Sequence, residues 1–124
     1  MVSNRGAFVQ PTILTNVAED NPAYYQEFFG PISMIIRAKD EADAIRIADD
    51  SPFGPGGSVF TSDIEKGRAV ANQIDTGMIF VNHPTRVEAD LPFGRIKHSG
   101  FGRELIDLGI KEFCQSQARW RYRY

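Results

Sequence analysis

Apolar residues are grouped along the middle of the chain in a pattern that predicts alternating strands and helices. The β-branched run Ile32–Ala38 follows a Gly-Pro pair and predicts a mostly buried strand. Two shorter apolar runs, Ser58–Thr61 and Met78–Val81, predict further strands. Strands that are apolar on both faces are typical of parallel sheets, so the chain from residue 32 to residue 81 predicts a β-α-β-α-β unit of an α/β fold.

The segments between these strands have helical spacing. Asp40 is placed to cap a first helix by accepting backbone N–H groups, and Asp63 is placed to cap a second. Gly77 fits the left-handed residue that ends a helix. A third helix is predicted from Arg103 to Phe113.

The rest of the chain is less regular. The first 31 residues hold three prolines and only short apolar runs, which is typical of chain wrapping over a larger body. Residues 82–102 are rich in Gly and Pro and are too long for a simple connection, so they predict a functional loop. Residues 119–124 alternate arginine with Trp or Tyr and predict a strand that extends a sheet across a subunit interface.

Composition narrows the class of protein. The chain has 124 residues, 42% hydrophobic and 24% charged, which predicts one small globular domain. A net charge of −2 supports neither nucleic acid nor an anionic membrane as a partner. No apolar run approaches the ~20 residues that a membrane span needs. With one cysteine, a disulfide within the chain is impossible, and a reducing compartment, the cytoplasm, is expected.

Few residues point to chemistry on their own. Cys114 comes four residues after Ile110 and eight after Ile106, so it continues the apolar face of the last predicted helix, which favours a buried structural thiol over a nucleophile. His83 and His98 lack the spaced ligands of a metal site, so a role in the loop without metal is favoured. The segment Gly94–Gly102 could admit an anion, but it matches neither common phosphate-binding pattern, and a tight structural loop is favoured. For the Arg-aromatic tail, stacking on nucleic acid bases is the less favoured alternative.

Five blocks of residues, taken in order, resemble one family. The blocks are Gly6–Leu14, Glu27–Pro31, Ser51–Thr61, Thr76–Asn82 and Pro92–Leu105. Their order and spacing are similar to those of the C-terminal part of an aldehyde dehydrogenase, over nearly the whole chain. Val81–Thr85 with Asp90–Gly94 most resembles the succinate-semialdehyde dehydrogenase branch.

The resemblance implies a fold and a division of the chain. The fold is a three-layer parallel-sheet fragment, β-α-β-α-β, of the aldehyde dehydrogenase catalytic domain, with a C-terminal helix and an oligomerisation strand. Residues 1–113 would belong to the catalytic domain and its final helix. Residues 114–124 would form the oligomerisation strand, with residues 119–124 joining subunits into a homo-oligomer.

The resemblance also implies an activity. In that family a cysteine attacks the aldehyde, a hydride passes to NAD or NADP, and a glutamate-activated water releases the acid. The family's cysteine, its glutamate and its nucleotide-binding sheet all lie upstream of the segment matched here. The chain alone is therefore expected to be inactive, with the remainder of a dehydrogenase chain and a small aldehyde as its partners.

A few positions match functional residues of the family. Glu27 matches the glutamate that hydrogen-bonds the nicotinamide ribose, and Phe29 matches the aromatic residue beside the nicotinamide. Arg86 is a candidate partner for a substrate carboxylate, because a guanidinium binds carboxylate with paired donors. The positions that match the wall of the aldehyde pocket are His83, Thr85, Val87 and Phe93.

The chain departs from the family pattern at two positions. Arg95 stands where the family usually has the second glycine of Pro-Phe-Gly-Gly, a long cation where a close backbone turn is expected. Pro55 stands where a leucine is common. The alternative to a dehydrogenase segment is a freestanding, non-catalytic module that pairs through residues 119–124. The sequence does not choose between NAD and NADP.

Overall fold

The computed structural model describes residues 6–121. Backbone contacts divide the chain into two units, Met1–Ser51 and Pro52–Tyr124. No helix within the described residues is long and apolar enough to cross a lipid bilayer.

The first unit is built on a parallel pair of strands and one helix. Strand β1 (Thr12–Thr15) pairs with β2 (Ile32–Ile35), with Thr12 opposite Ile32. A 3₁₀ turn (Pro22–Tyr25) lies between them, and helix α1 (Glu41–Asp49) follows. β1 was missed because its apolar run, Ile13-Leu14, is too short to be recognised without the partner strand.

Polar contacts fix both ends of α1. Asp40 caps the helix as predicted, because its Oδ1 accepts the backbone N–H of Asp43 at 2.8 Å. The Asp43 carboxylate in turn accepts the backbone N–H of Lys39 at 3.1 Å and Nε of Arg46 at 3.1 Å. These two contacts, the backbone one first, hold the pKa of Asp43 below its ordinary value. Arg46 also pairs with Glu19 at 2.8 Å, which joins the helix to the segment before the 3₁₀ turn.

The second unit holds the remaining short elements. In chain order they are β3 (Phe53–Gly54), β4 (Gly57–Val59), α2 (Ile64–Ala71), β5 (Ile79–Val81), β6 (Phe93–Gly94), β7 (Ile96–Lys97), β8 (Arg103–Glu104) and α3 (Ile106–Lys111). Strands β4 and β5 are parallel and are connected by α2, so this part is a β-α-β unit as predicted. Asp63 caps α2 as predicted, accepting the backbone N–H of Lys66 at 3.0 Å.

The predicted parallel order is only partly confirmed. β2 pairs with β1 rather than with β4, and within the described residues each sheet has two strands. Two of those sheets, β3 with β7 and β6 with β8, are antiparallel. The fold is therefore mixed α/β. The three-layer arrangement stays a prediction.

Gly77 has a different role from the predicted one. Helix α2 ends at Ala71, and its C-cap, Asn72, is right-handed. Gly77 does not adopt the left-handed conformation. It lies against the backbone of Gly94, where an added Cβ would come within 2.2 Å of the Gly94 carbonyl oxygen. Its N–H donates to the Gly54 carbonyl at 3.0 Å. Gly77 is thus required for close backbone approach.

The last helix is shorter than predicted. Arg103 belongs to β8, opposite Gly94, and α3 begins only at Ile106 after a left-handed Leu105 with φ 66°. Cys114 lies beyond the end of α3 and is exposed, so the prediction of a buried thiol is wrong. The preceding residue, Phe113, is 94% exposed.

The predicted terminal strand lies partly outside the described residues. Residues 119–121 belong to no helix or strand, and residues 122–124 lie outside the described part of the chain. The oligomerisation strand therefore stays a prediction.

Burial is low throughout the described residues. Ala71 is the hydrophobic residue there that is buried, and β2, predicted to be mostly buried, alternates half-buried and exposed positions. Ile35 at the end of β2 is 54% exposed. One face of this strand is therefore uncovered by the described part of the chain.

We expect Gly77→Ala to destabilise the chain. The new methyl group would overlap the Gly94 carbonyl and would come within 2.9 Å of the Arg95 Cα. Backbone atoms would have to move, which costs about 1–3 kcal/mol in the free energy of unfolding measured in urea. Gly57→Ala is the matched control, since its nearest neighbour would be 3.8 Å away, and it should change stability by less than about 0.5 kcal/mol. Equal effects of the two substitutions would contradict this account.

We expect Asp43 to make the free energy of unfolding of the chain depend on pH. The folded pKa lies below the ordinary value of 3.8, so ionised Asp43 contributes its full stabilisation above that value. The contribution disappears as the pH falls through the lower folded pKa. Asp43→Asn should therefore lower the free energy of unfolding at neutral pH and equal the wild type in acid. Asp90→Asn, at an exposed loop position, is the control, and a constant difference at all pH values for Asp43→Asn would refute the prediction.

Candidate functional site

Asn82 sets the direction of the loop that follows β5. It is left-handed, with φ 56°, a conformation that asparagine tolerates better than most residues. Its Oδ1 accepts the backbone N–H of Thr61 at 2.8 Å, and its Nδ2 donates to the Thr61 carbonyl at 2.8 Å. Its own backbone N–H donates to Val59 at 2.8 Å. The side-chain amide thus continues the β4–β5 pairing while the backbone turns away.

A small cleft lies between β5 and the end of this loop. Its volume is about 190 Å³, and its apolar walls include Phe80, Leu91 and Phe93. Two charged residues, Arg86 and Glu88, also line it and form an ion pair with each other. The cleft therefore has apolar walls and one guanidinium, whose positive charge is balanced by Glu88.

The structure places two of the predicted pocket residues, Arg86 and Phe93, in this cleft. His83 lies beside it, half-buried, with its ring centroid 6.0 Å from that of Phe80 and its Nδ1 donating to the Pro84 carbonyl at 2.6 Å. The Thr85 methyl instead faces Gly56, where an added Cβ would be 3.0 Å away. Thr85 and Val87 are not among the cleft residues, and Val87 is 61% exposed.

Glu88 lines the cleft and was not among the predicted site residues. Its side chain is more buried than that of Arg86, 28% against 58% exposed. The pattern Arg-Val-Glu could have signalled it, because alternate residues of an extended segment lie on one side. The ion pair joins Oε1 of Glu88 to Nη2 of Arg86, and a guanidinium has five N–H donors in all.

Phe93 also borders a second, larger cavity. This cavity, of about 720 Å³, lies between β6, β8 and α3. Its charged lining consists of Arg95, Arg103, Glu104 and Glu112. The guanidinium carbon of Arg95 lies 5.6 Å from the centroid of the Phe93 ring, within the range of a cation–π contact.

The glycine-rich segment after β6 is the tight structural loop that the sequence favours. Ser99 N–H donates to Ile96 at 3.2 Å, and the Ser99 hydroxyl accepts the Gly54 N–H at 3.2 Å. The left-handed positions fall on Lys97, Gly100 and Gly102. Arg95 is therefore outside the positions that need glycine, and its long side chain does not prevent the turn.

The two predicted cofactor residues belong to the first unit. The Glu27 side chain is exposed, and its carboxylate makes no hydrogen bond to a described residue, so both oxygens can accept from a diol. Phe29 is 91% exposed and left-handed, with φ 46°. The structure thus leaves the Glu27 carboxylate and the Phe29 ring exposed, and their role in cofactor binding stays a prediction.

Cys114 lies outside both cavities, and its thiol donates to the Ile110 carbonyl at 3.4 Å. Within residues 6–121, no group of three or more His, Cys, Asp and Glu side chains is arranged to hold a metal ion.

Comparison with known proteins assigns the family. Residues 2–118 match the aldehyde dehydrogenase family. The chain is 53% identical over 112 residues to a succinate-semialdehyde dehydrogenase [NADP(+)] of Deinococcus radiodurans, an alignment that covers 90% of this chain and 24% of that protein. The chain thus spans about a quarter of the length of the curated relatives it matches.

Solved structures agree with this assignment. A succinic semialdehyde dehydrogenase from Streptococcus pyogenes in complex with NADP+ matches with a TM-score of 0.82 and 50% identity, over 86% of this chain and 23% of that one. A Mycobacterium tuberculosis aldehyde dehydrogenase complexed with NAD+ matches with a TM-score of 0.79 and 39% identity, over 87% of this chain and 22% of that one. The chain therefore belongs to the aldehyde dehydrogenase family.

Proposed function

We propose that the chain is the C-terminal segment of an aldehyde dehydrogenase that oxidises succinate semialdehyde to succinate with NADP+ or NAD+ in the cytoplasm. The observation that carries this proposal is the arginine-bearing apolar cleft in a chain 53% identical to a succinate-semialdehyde dehydrogenase. Residues 1–113 would belong to the catalytic domain and its final helix. Residues 114–124 would form the strand that joins subunits.

The cleft suits a short aldehyde that carries a carboxylate. The donors of Arg86 that Glu88 does not occupy would bind the carboxylate, which fixes one end of the substrate. The Phe80 and Phe93 rings would flank the hydrocarbon part and keep water from the reacting carbon. His83, Thr85 and Val87 would shape the rim of the pocket through the loop they belong to.

The first unit would contribute to cofactor binding. The free Glu27 carboxylate would accept hydrogen bonds from the hydroxyls of the nicotinamide ribose. The exposed Phe29 ring would pack beside the nicotinamide. The bound nucleotide supplies a hydride acceptor.

The chain's own cysteine does not suit the nucleophile's role. Cys114 lies outside the cleft and its thiol donates to the Ile110 carbonyl. We infer that the nucleophile and the general base come from the remainder of the dehydrogenase chain, so that residues 1–124 alone do not turn over aldehyde.

A non-catalytic interaction module is the second candidate. It is favoured by large apolar side chains that are mostly exposed, such as Phe101, fully exposed, and Phe8, 70% exposed. The same exposure is expected of a segment that packs against the rest of a dehydrogenase. The activity experiment below separates the two candidates.

We expect this segment to support activity only within a full-length dehydrogenase. The segment would replace the matching quarter of the Deinococcus radiodurans relative, and reduction of NADP+ by succinate semialdehyde would be followed by absorbance. The hybrid should be active and the isolated chain inactive. Turnover by the isolated chain would disprove its predicted inactivity. A folded but inactive hybrid, with an active parent enzyme, would favour the interaction module.

We expect Arg86→Ala in the full-length hybrid to raise KM for succinate semialdehyde. Loss of a charge-assisted pair should raise it by about tenfold or more. KM for butanal, which lacks the carboxylate, should hardly change. Arg68→Ala removes an exposed arginine from α2 and is the control. Wild-type kinetics for Arg86→Ala would exclude Arg86 as the carboxylate partner.

A further inference from the structure

We propose that Arg95 is a positioning residue that holds the Phe93 ring in place and thereby sets which aldehydes the cleft admits. This inference rests on the proposed function, because it assumes that the cleft receives the aldehyde. It concerns the residue at which this chain departs from the glycine that its family usually has.

Phe93 lies between the two cavities of the second unit. It lines the 190 Å³ cleft together with Arg86, and it also lines the 720 Å³ cavity together with Arg95. Arg95 does not line the smaller cleft. The guanidinium, 5.6 Å from the ring centroid, therefore contacts the ring from the side of the larger cavity.

The backbone of Arg95 is held independently of its side chain. β6 pairs with β8, so that Gly94 lies opposite Arg103. The Arg103 guanidinium donates through Nη1 to the Arg95 carbonyl at 3.2 Å and to the Gly102 carbonyl at 2.8 Å. The Arg103 side chain also covers Gly94, where an added Cβ would be 2.2 Å from Cδ. A change at position 95 should therefore alter the support of the ring and leave the strand in place.

The charge of Arg95 is available to the ring. Glu112 lines the same cavity, but its carboxylate accepts the backbone N–H of Arg103 at 3.1 Å. Glu104 also lines the cavity. Because Phe93 is half-buried and followed by a glycine, the ring has room to turn toward the larger cavity once the cation is removed. The cleft would then widen.

The expected effect is moderate and selective. Loss of a cation–π contact at a partly exposed site corresponds to a change of about two- to fivefold in an equilibrium constant such as the one KM reflects. Arg95→Met keeps the length and loses the charge, so KM for succinate semialdehyde should rise by that factor. The preference over glutarate semialdehyde, which is longer by one methylene, should weaken because the wider cleft accepts it. Arg95→Lys keeps a cation and should restore most of the preference.

The kinetic test uses the full-length hybrid and measures KM and kcat separately for both semialdehydes. Arg68→Met, on the exposed face of α2, is the matched control. We expect Arg95→Met to act mainly on KM, Arg95→Lys to resemble the wild type, and Arg68→Met to change nothing. Unchanged substrate preference in Arg95→Met, or equal effects of Met and Lys at position 95, would overturn the proposal. If Arg95→Met does not fold, Arg95→Gln tests the same loss of charge.

A second measurement does not depend on activity. A fluorinated phenylalanine placed at position 93 reports on the ring by fluorine NMR. Its resonance should move in Arg95→Met and stay in place in Arg68→Met. If the hybrid is active and Arg95→Met changes neither its kinetics nor the resonance, the role of Arg95 is refuted and the proposed function stands. A hybrid inactive with succinate semialdehyde, in which the resonance still moves, would refute the proposed function and retain the contact.

Discussion

Close backbone contact among three glycines determines the arrangement of the second unit. Gly77 donates its N–H to the Gly54 carbonyl at 3.0 Å and lies against the Gly94 carbonyl, so the segment before β5 contacts both β3 and β6. A side chain at Gly77 would separate these segments, because backbone atoms cannot move aside as a side-chain end can. Phe93 precedes Gly94 in β6. Its place beside the cleft therefore depends on this contact.

Arg86 and Glu88 add a pair of opposite charges to a cleft whose walls are positioned by the backbone. Arg86 would be an exposed cation without Glu88, and their pairing reduces its freedom before any substrate arrives. If the proposed carboxylate partner binds Arg86, it would share the guanidinium with Glu88. Sharing is feasible because a guanidinium has five N–H donors in a fixed plane. In the proposed function, recognition of a carboxylate would thus be combined with a cleft in which Glu88 already balances the charge of Arg86.

Local signals were predicted correctly and contacts distant in sequence were not. Asp40 and Asp63 were recognised as caps because a cap depends on residues two or three positions away. Gly77 was assigned to a helix end because its contact with Gly94 cannot be inferred from its neighbours. Cys114 was predicted to be buried because helical spacing shows which face is apolar, and not whether anything covers it. Of the predicted pocket residues, Arg86 and Phe93 line the cleft. Glu88, which was not predicted, also lines it and pairs with Arg86.

The position of Arg95 shows why one glycine of a motif is replaced more easily than its neighbour. Gly94 is buried beneath the Arg103 side chain, so a Cβ there must push the Arg103 guanidinium away from the Arg95 and Gly102 carbonyls that it contacts. Arg95 is exposed, does not require a left-handed backbone, and has a 720 Å³ cavity for its side chain. Arginine therefore causes little strain at position 95 and gains a contact with Phe93. The backbone tolerates arginine at position 95, and the arginine side chain contacts Phe93, the ring that lines both cavities. A substitution at position 95 therefore alters the cleft through this ring.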